Sequence, residues 1–370
     1  MALQFSRDTK VFLSGYGAVW EIPVLDGFSF SQATNASEIT LSEMSDTAGN
    51  TRRARQMFND SYAPAEWSFA SYMRPNTTTL NGSHPAEDAL WVSMFTNDAT
   101  FSASAWATAT SITSTSTGSA FAVTSASSNK ATIGTFDLYF VLGAGQQADN
   151  VYTTSASGTN IYKIEGCVPN EASIDFEVDG IATINWSGFG KIISEEATFD
   201  ASSALSRGIG LTSNFVRNRL TSLTLTGATA DGFAATYDLV LTGGNITINN
   251  NITFLTPETL GIVNQPLGHV TGTRQIGGNF TCYLGTQADS SSDLFEDLIE
   301  NSSLVTNSFG MTFSVGGASA PKVVFAMPTC HLEVPTHSIE DVISLETNFH
   351  ALPSDIDSAD EITVTYTGGA

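Results

Sequence analysis

The chain has 370 residues, only 14% of them charged, and 37 Asp plus Glu stand against 14 Lys plus Arg for a formal net charge of −23. So acidic a chain lacks the Lys/Arg surface that holds nucleic acid by counterion release, and anionic membranes repel it. Hydrophobic residues make up 41%, enough for real cores, which excludes wholesale disorder, and the length predicts two domains.

The N-terminal stretch MALQFSRDTKVFLSG has no apolar h-region and no small-residue cleavage site. No run reaches 18 consecutive apolar residues, so no membrane anchor is expected. Both point to a protein made and kept in a cytoplasm until it joins something larger. Cys167, Cys282 and Cys330 have no paired spacing and read as buried apolar residues rather than disulfides or metal ligands.

Most of the chain alternates at period two and is rich in Thr, Val, Ile and Phe, which predicts half-buried strands. In order these are Ala65–Tyr72, Thr135–Leu142, Ser173–Asp179, Ile181–Trp186, Leu220–Leu225, Ala235–Leu241, Ile246–Phe254 and Val323–Met327. Two short helices interrupt them. The first is predicted over Pro85–Phe95, with Pro85 at the first helical position and Glu87 and Asp88 near the positive end of the dipole. The second is predicted over Asp293–Glu300, capped by one of Ser290, Ser291 or Ser292. Leu90, Trp91, Met94 and Phe95 repeat the spacing of Leu294, Phe295, Leu298 and Ile299, so each helix is expected to lay one narrow apolar stripe on a sheet.

The matching helices point to an internal repeat. Ile39-Thr40-Leu41 matches Ile252-Thr253-Phe254 at an offset of 213, which pairs Trp67, Phe69 and Ser71 with Phe280, Cys282 and Leu284. Leu90 matches Leu294 at an offset of 204, and Asp179–Ile184 matches Glu340–Leu345 at an offset of 161. The order strand, long loop, strand, helix, strands and final hairpin therefore occurs twice. The predicted domains are 1–200 and 201–370, with the join in Glu195–Asn214. The falling offset assigns the first copy an extra Ser/Thr/Ala-rich stretch, Ser102–Lys130 within about residues 100–150, read as an extended hairpin or loop. The fold class is mainly β: two tandem β-sandwich or barrel domains, each with one short helix.

Catalytic patterns are scarce. His84, His269, His331, His337 and His350 form no ligand spacing, and Cys330-His331 with His337 reads as strand and turn, since a metal centre needs four convergent ligands. Gly188-Phe189-Gly190-Lys191 lacks the spacing of a phosphate loop. A sugar hydrolase would need a desolvated carboxylate pair beside aromatic platforms, which the sequence does not offer. No catalytic residue, metal or cofactor is assigned, and the protein is not expected to be an enzyme. Two features carry more. Asp175, Glu177 and Asp179 form a comb on one face of a strand whose other face carries Ile174, Phe176 and Val178, an arrangement that loses stability through like-charge repulsion. Arg52, Arg53 and Arg55 gather three of the few basic residues in one long polar connection, either a solvated loop or an arm aimed at a neighbour's carboxylates.

The stretch Leu25–Pro75 resembles the tail tube proteins of long-tailed, siphovirus-like bacteriophages. The resemblance rests on Asp26–Ser31, then Ile39-Thr40-Leu41, then the long connection through Arg52–Pro64, then Glu66-Trp67-Ser68-Phe69. Ile252–Phe254, Gly277-Gly278 and Phe280–Tyr283 echo it, and the strand pair Asn170–Trp186 is similar to the family's C-terminal part. The resemblance implies a structural virion protein whose copies form rings that stack, with inner sheets closing into a lumen through which genomic DNA passes without specific binding. Rings of six tube domains imply three double-domain chains with pseudo-sixfold symmetry, or alternatively a hexamer. It also implies other tail proteins as partners, a place in the virion tail and assembly in the host cytoplasm. Glu43–Pro64, with Arg52, Arg53 and Arg55, is then the candidate inter-subunit or inter-ring loop. The candidate lumen-facing acids are Asp175, Glu177 and Asp179, with Glu333 and Glu340 from the second copy. The competing expectation is another virion protein of β-sandwich modules, a capsid decoration protein or adhesin.

Overall fold

The structure, a computed structural model, describes residues 5–39, 48, 56–76, 84–96, 99–102, 105–107, 112–114, 120–125, 133–146, 149–154, 158–206, 214–255, 266–300 and 309–368. The first half carries β1 (Lys10–Gly15), β2 (Ala18–Ile22), β3 (Ser29–Glu38), β4 (Met57–Tyr72) and α1 (Asp88–Phe95). Next come β5 (Thr100–Ser102), β6 (Ala105–Ala107), β7 (Ile112–Ser114), β8 (Ala120–Thr124) and β9 (Phe136–Leu142). It continues with β10 (Val151–Thr153), β11 (Asn160–Phe176), β12 (Thr183–Gly190), β13 (Ile192–Glu195) and β14 (Thr198–Asp200). The second half carries β15 (Ser222–Thr226), β16 (Leu241–Asn249), β17 (Thr253–Leu255), β18 (Gly268–Val270), β19 (Gln275–Tyr283) and α2 (Ser291–Glu300). It ends with β20 (Phe309–Val315), β21 (Lys322–Leu332), β22 (Thr336–Ser338), β23 (Ser344–Ala351) and β24 (Thr363–Thr367).

The antiparallel ladders repeat one order. In the first half β1 lies between β2 and β9, and β9 pairs with the first half of β11, whose other edge takes β13. The second half of β11 continues into β12, β4 and β3. In the second half β15 pairs β20, β20 pairs β21, and the other edge of β21 takes β24. The end of β21 continues into β23, β19 and β16. One long strand, β11 or β21, thus serves both layers of each set, and no circle of paired strands closes among the described residues. The ladders also revise the repeat register. Trp186 and Thr347, which correspond at the 161 offset, lie opposite Phe69 and Phe280. Phe280 therefore matches Phe69, at an offset of 211, and not Trp67. Hydrophobic alternation is blind to a two-residue shift because it returns the same face.

The two halves are sewn together twice. Glu171–Phe176 of β11 pairs with Asn249–Gly244 of β16, so β3, β4, β12, β11, β16, β19, β23 and β21 form one continuous eight-stranded sheet. The Ser/Thr-rich insertion supplies the second seam. Its strand β8 pairs along β24, with β7 outside it, and Thr124 Oγ1 lies 2.8 Å from Thr363 Oγ1. Ser125 donates to Glu361, which also accepts from Arg274, and the Arg274 guanidinium lies over the Phe95 ring. In its described part the insertion is a clasp between the halves.

That clasp explains a departure in α1. All eight residues of α1 are buried, where one narrow stripe was expected. The helix lies between the sheet and the clasp, with Trp91 edge-on to Trp186 and its indole N–H donating to the Tyr366 hydroxyl. α2 has no such cover among the described residues and buries only Ser291, Leu294 and Leu298. Part of the expected inter-domain join is also built in: β14 pairs β10, and Leu205 bridges to Trp20.

One apolar cluster spans both halves, and Phe176 of β11 stacks on Phe313 of β20 with centroids 5.2 Å apart. Phe313→Ala is expected to cost about 3–5 kcal/mol and to shift one unfolding transition without splitting it, read by chemical denaturation. Beside α1 the carboxyl of Glu87 is wholly buried, and burial pushes its pKa up to about 7. A carboxyl raised in the folded state contributes stability that is complete below its unfolded pKa and is lost as pH rises through about 7. Thermal melts should therefore fall in Tm across that window, and Glu87→Gln should flatten the fall.

Candidate functional site

Alternation gives the eight-stranded sheet two unlike faces. Trp67, Phe69, Trp186, Ile174, Ile246, Phe280, Leu345 and Phe349 point into the core and are buried. Residues directly opposite on neighbouring strands share a face, so the registers define the other side. One row runs Ser29, Ser68, Ser187, Glu171, Asn249. The next runs Ala70, Asn185, Ser173, Thr247, Gly277, His350, His331. A third runs Asp175, Asn245, Asn279, Asn348. Glu66 and Glu346 stand in the same phase and are exposed. Among the described residues of these rows there is no Lys and no Arg.

Carboxylates on adjacent strands repel, and here asparagine amides stand between them. Asn249 donates to Glu171 at 3.1 Å, Asn279 to Glu346 at 2.9 Å, and Asn348 to Glu333 at 2.8 Å. Each is a neutral donor to a charged acceptor, the stronger kind of hydrogen bond, and it needs no cation. The Asn348 bond, helped by His350 with Nε2 3.6 Å from Glu333, holds the Glu333 carboxyl below its ordinary pKa. Asn348→Ala should raise the Glu333 pKa toward the usual carboxylate value, measured by NMR titration.

Asp175 sits on this open face. Glu177 and Asp179 do not, because β11 ends at Phe176 and the chain reverses through Gly180, whose φ of 111° only glycine adopts freely. Val178 is half exposed, and Asp179 pairs with Arg219 at 3.4 Å. Glu333 is the first residue after β21 and is tied to the face through Asn348. Glu340 lies in the turn between β22 and β23, beside an open depression lined by Thr242, Tyr283 and Asp341. Arg52, Arg53 and Arg55 lie outside the described residues. Sequence reasoning missed Glu66, Glu171 and Glu346, although Ser344–Ala351 alternates strictly and carries Glu346 on its polar phase.

No protein-family profile matches the chain. The chain is similar to the tail tube protein pb6 of Escherichia phage T5, with 28% identity over an alignment of 379 residues that covers 98% of this chain and 75% of the phage protein. The resemblance to phage tail tube proteins read from the sequence is borne out by this similarity.

Proposed function

We propose that this chain, a relative of a phage tail tube protein, is a structural subunit whose copies close into rings that stack into a tail tube. The open face of the eight-stranded sheet lines its conduit. The observation that carries the reading is that face itself: eight strands wide, polar, acidic and, among its described residues, without Lys or Arg. Duplex DNA carries one negative charge per about 1.7 Å of axis, so carboxylates along a conduit wall keep its affinity for DNA low. Most remaining positions are Ser, Thr and Asn, with Ala70, Gly277, His331 and His350 in one row, and they offer little apolar surface to the bases. The recurrence of one strand order supports two tube modules per chain, residues 1–200 and 201–370. Six modules in a ring then need three chains, and closed rotation within the ring with head-to-tail stacking makes a tube. Asp175 and Glu333 are lumen-facing in this arrangement, as are Glu66, Glu171 and Glu346, while Glu177, Asp179 and Glu340 stand at the rim of the sheet. Met57–Pro64, expected in the long connection, is the first part of β4 paired with β3, and the rest of that connection, with Arg52, Arg53 and Arg55, reaches a neighbouring chain or ring. The protein serves in the virion tail with other tail proteins as partners, and the role requires no catalysis.

Negative-stain imaging of the purified protein should show stacked rings with an open axial channel, and dispersed small oligomers at high concentration would overturn the assembly. The face is tested separately by combining Glu66→Lys, Asp175→Lys and Glu346→Lys. Tubes of that variant should retain duplex DNA at low salt at least tenfold more tightly than unmodified tubes, with the difference disappearing as salt is raised. Equal retention would place the conduit wall elsewhere.

A further inference from the structure

β3, at one end of the eight-stranded sheet, and β22, which extends its other end along β23 beside β21, each carry an unmated copy of one partner in the joint between the two halves. At that inner joint, Ser173 lies opposite Thr247, Ile174 opposite Ile246 and Asp175 opposite Asn245. The counterparts follow from the ladders. β22 stands on β23 as the second half of β11 stands on β12: Thr336 faces Glu346 as Ser173 faces Asn185, and Pro335 is buried as Ala172 is. β3 stands on β4 as β16 stands on β19: Ser29 faces Ser68 as Asn245 faces Asn279. Among the described residues neither β3 nor β22 has a strand on its outer edge.

Apolar side chains are exposed at both places, as others are elsewhere on the surface. Val334 and Ile339 flank β22 at 51% and 79% exposure, and Ile39, Met57 and Phe58 stand out on the far part of the β3–β4 hairpin. At the inner joint the matching part of the second hairpin is covered, because Ile252 and Phe254 pack with Ile133, Val168 and Phe189 of the first half. β3 is ten residues long, and an unpaired edge of that length with apolar side chains beside it is a liability unless another strand covers it, whereas β22 is a three-residue edge with free hydrogen-bonding groups and apolar flanks that such a strand can use.

We infer that the strand that covers it is β3 of a second copy of this chain, laid antiparallel on residues 334–339 in the register of the inner joint. Ser31 then faces Thr336, Phe30 faces His337 and Ser29 faces Ser338. The phases agree. Ser29 and Ser31 lie on the open face, as do Thr336 and Ser338, while on the other face Phe30 packs against Phe140 and His337, itself exposed, meets the Phe295 ring edge-on. The contact is heterologous, one edge onto a different edge, so it repeats from chain to chain until rotation closes a ring. It rests on the tail tube reading and goes beyond it in naming the two edges and their register.

The test is the double variant Ser31→Cys with Thr336→Cys, assembled, oxidised and run on a non-reducing gel, with a short bis-maleimide as a second cross-linker. Background is low, because Cys167, Cys282 and Cys330 are buried and burial raises all three thiol pKa values. The double variant should give covalent multiples of the chain that stop at one ring, and either single variant should stay monomeric. Tubes that assemble normally with neither reagent linking the pair overturn the register while leaving the tail tube reading intact. Failure of the unmodified chain to form tubes, seen first by imaging, overturns that reading and this inference with it.

Discussion

The fold depends on the seventeen-residue strand Asn160–Phe176 satisfying two sheets along one edge. Its first half pairs with Phe136–Leu142 in the other layer of the first half, and its second half pairs with Gly244–Asn249 of the second half of the chain. The backbone must find hydrogen bonds along that whole edge, and no single neighbour is long enough to supply them. The bulge between Pro169 and Glu171 lets the strand change partners. Everything that makes the molecule one object follows from that change of partner: the continuous eight-stranded sheet, the shared core under it, and a polar face wider than either half could present.

The polar face shows how a surface can be strongly negative without being unstable. Its acids alternate with apolar core residues along each strand, which spaces them, and across strands the asparagine amides of Asn249, Asn279 and Asn348 each take a carboxylate oxygen. A lysine in those places would bind the carboxylates more strongly but would also attract phosphate. A neutral donor satisfies the carboxylate and leaves the sign of the face unchanged. The insertion solves a different problem. By adding Ala120–Thr124 to the edge of Thr363–Thr367 it covers that outer strand edge and buries Asp88–Phe95 on every side.

Much of this was legible in the residues. Period-two alternation located many of the longer strands but not Ala235–Leu241, which forms only isolated bridges before β16, the two helices fell within three residues of their observed starts, and the cysteines are buried as their lack of pairing implied. Of the three acids of the comb, one is on the strand. Asp175 is on the open face, but alternation alone could not say that the strand stops at Phe176, because the turn at Gly180 is a property of backbone conformation. The repeat was visible as order and phase, yet its register was misjudged by two residues between Trp67 and Phe69, a shift that leaves every side chain on the same face. The acids Glu66, Glu171 and Glu346 went unremarked because they lie far apart along the chain and only the ladders bring them together.

By itself the sequence determined the class of the fold, the sign of its surface and the doubling of its plan. Alternation, net charge and element order are local or additive properties, and they survive without knowledge of partners. Which face each charge occupies, and which strand meets which, only the tertiary structure decided. Strand pairing is a long-range choice made by hydrogen bonds between residues as distant as Ser173 and Thr247, and the same pattern of side chains fits several registers equally well. The acidity therefore belonged to the composition, and its concentration on one uninterrupted face belongs to the way Asn160–Phe176 joins the two halves.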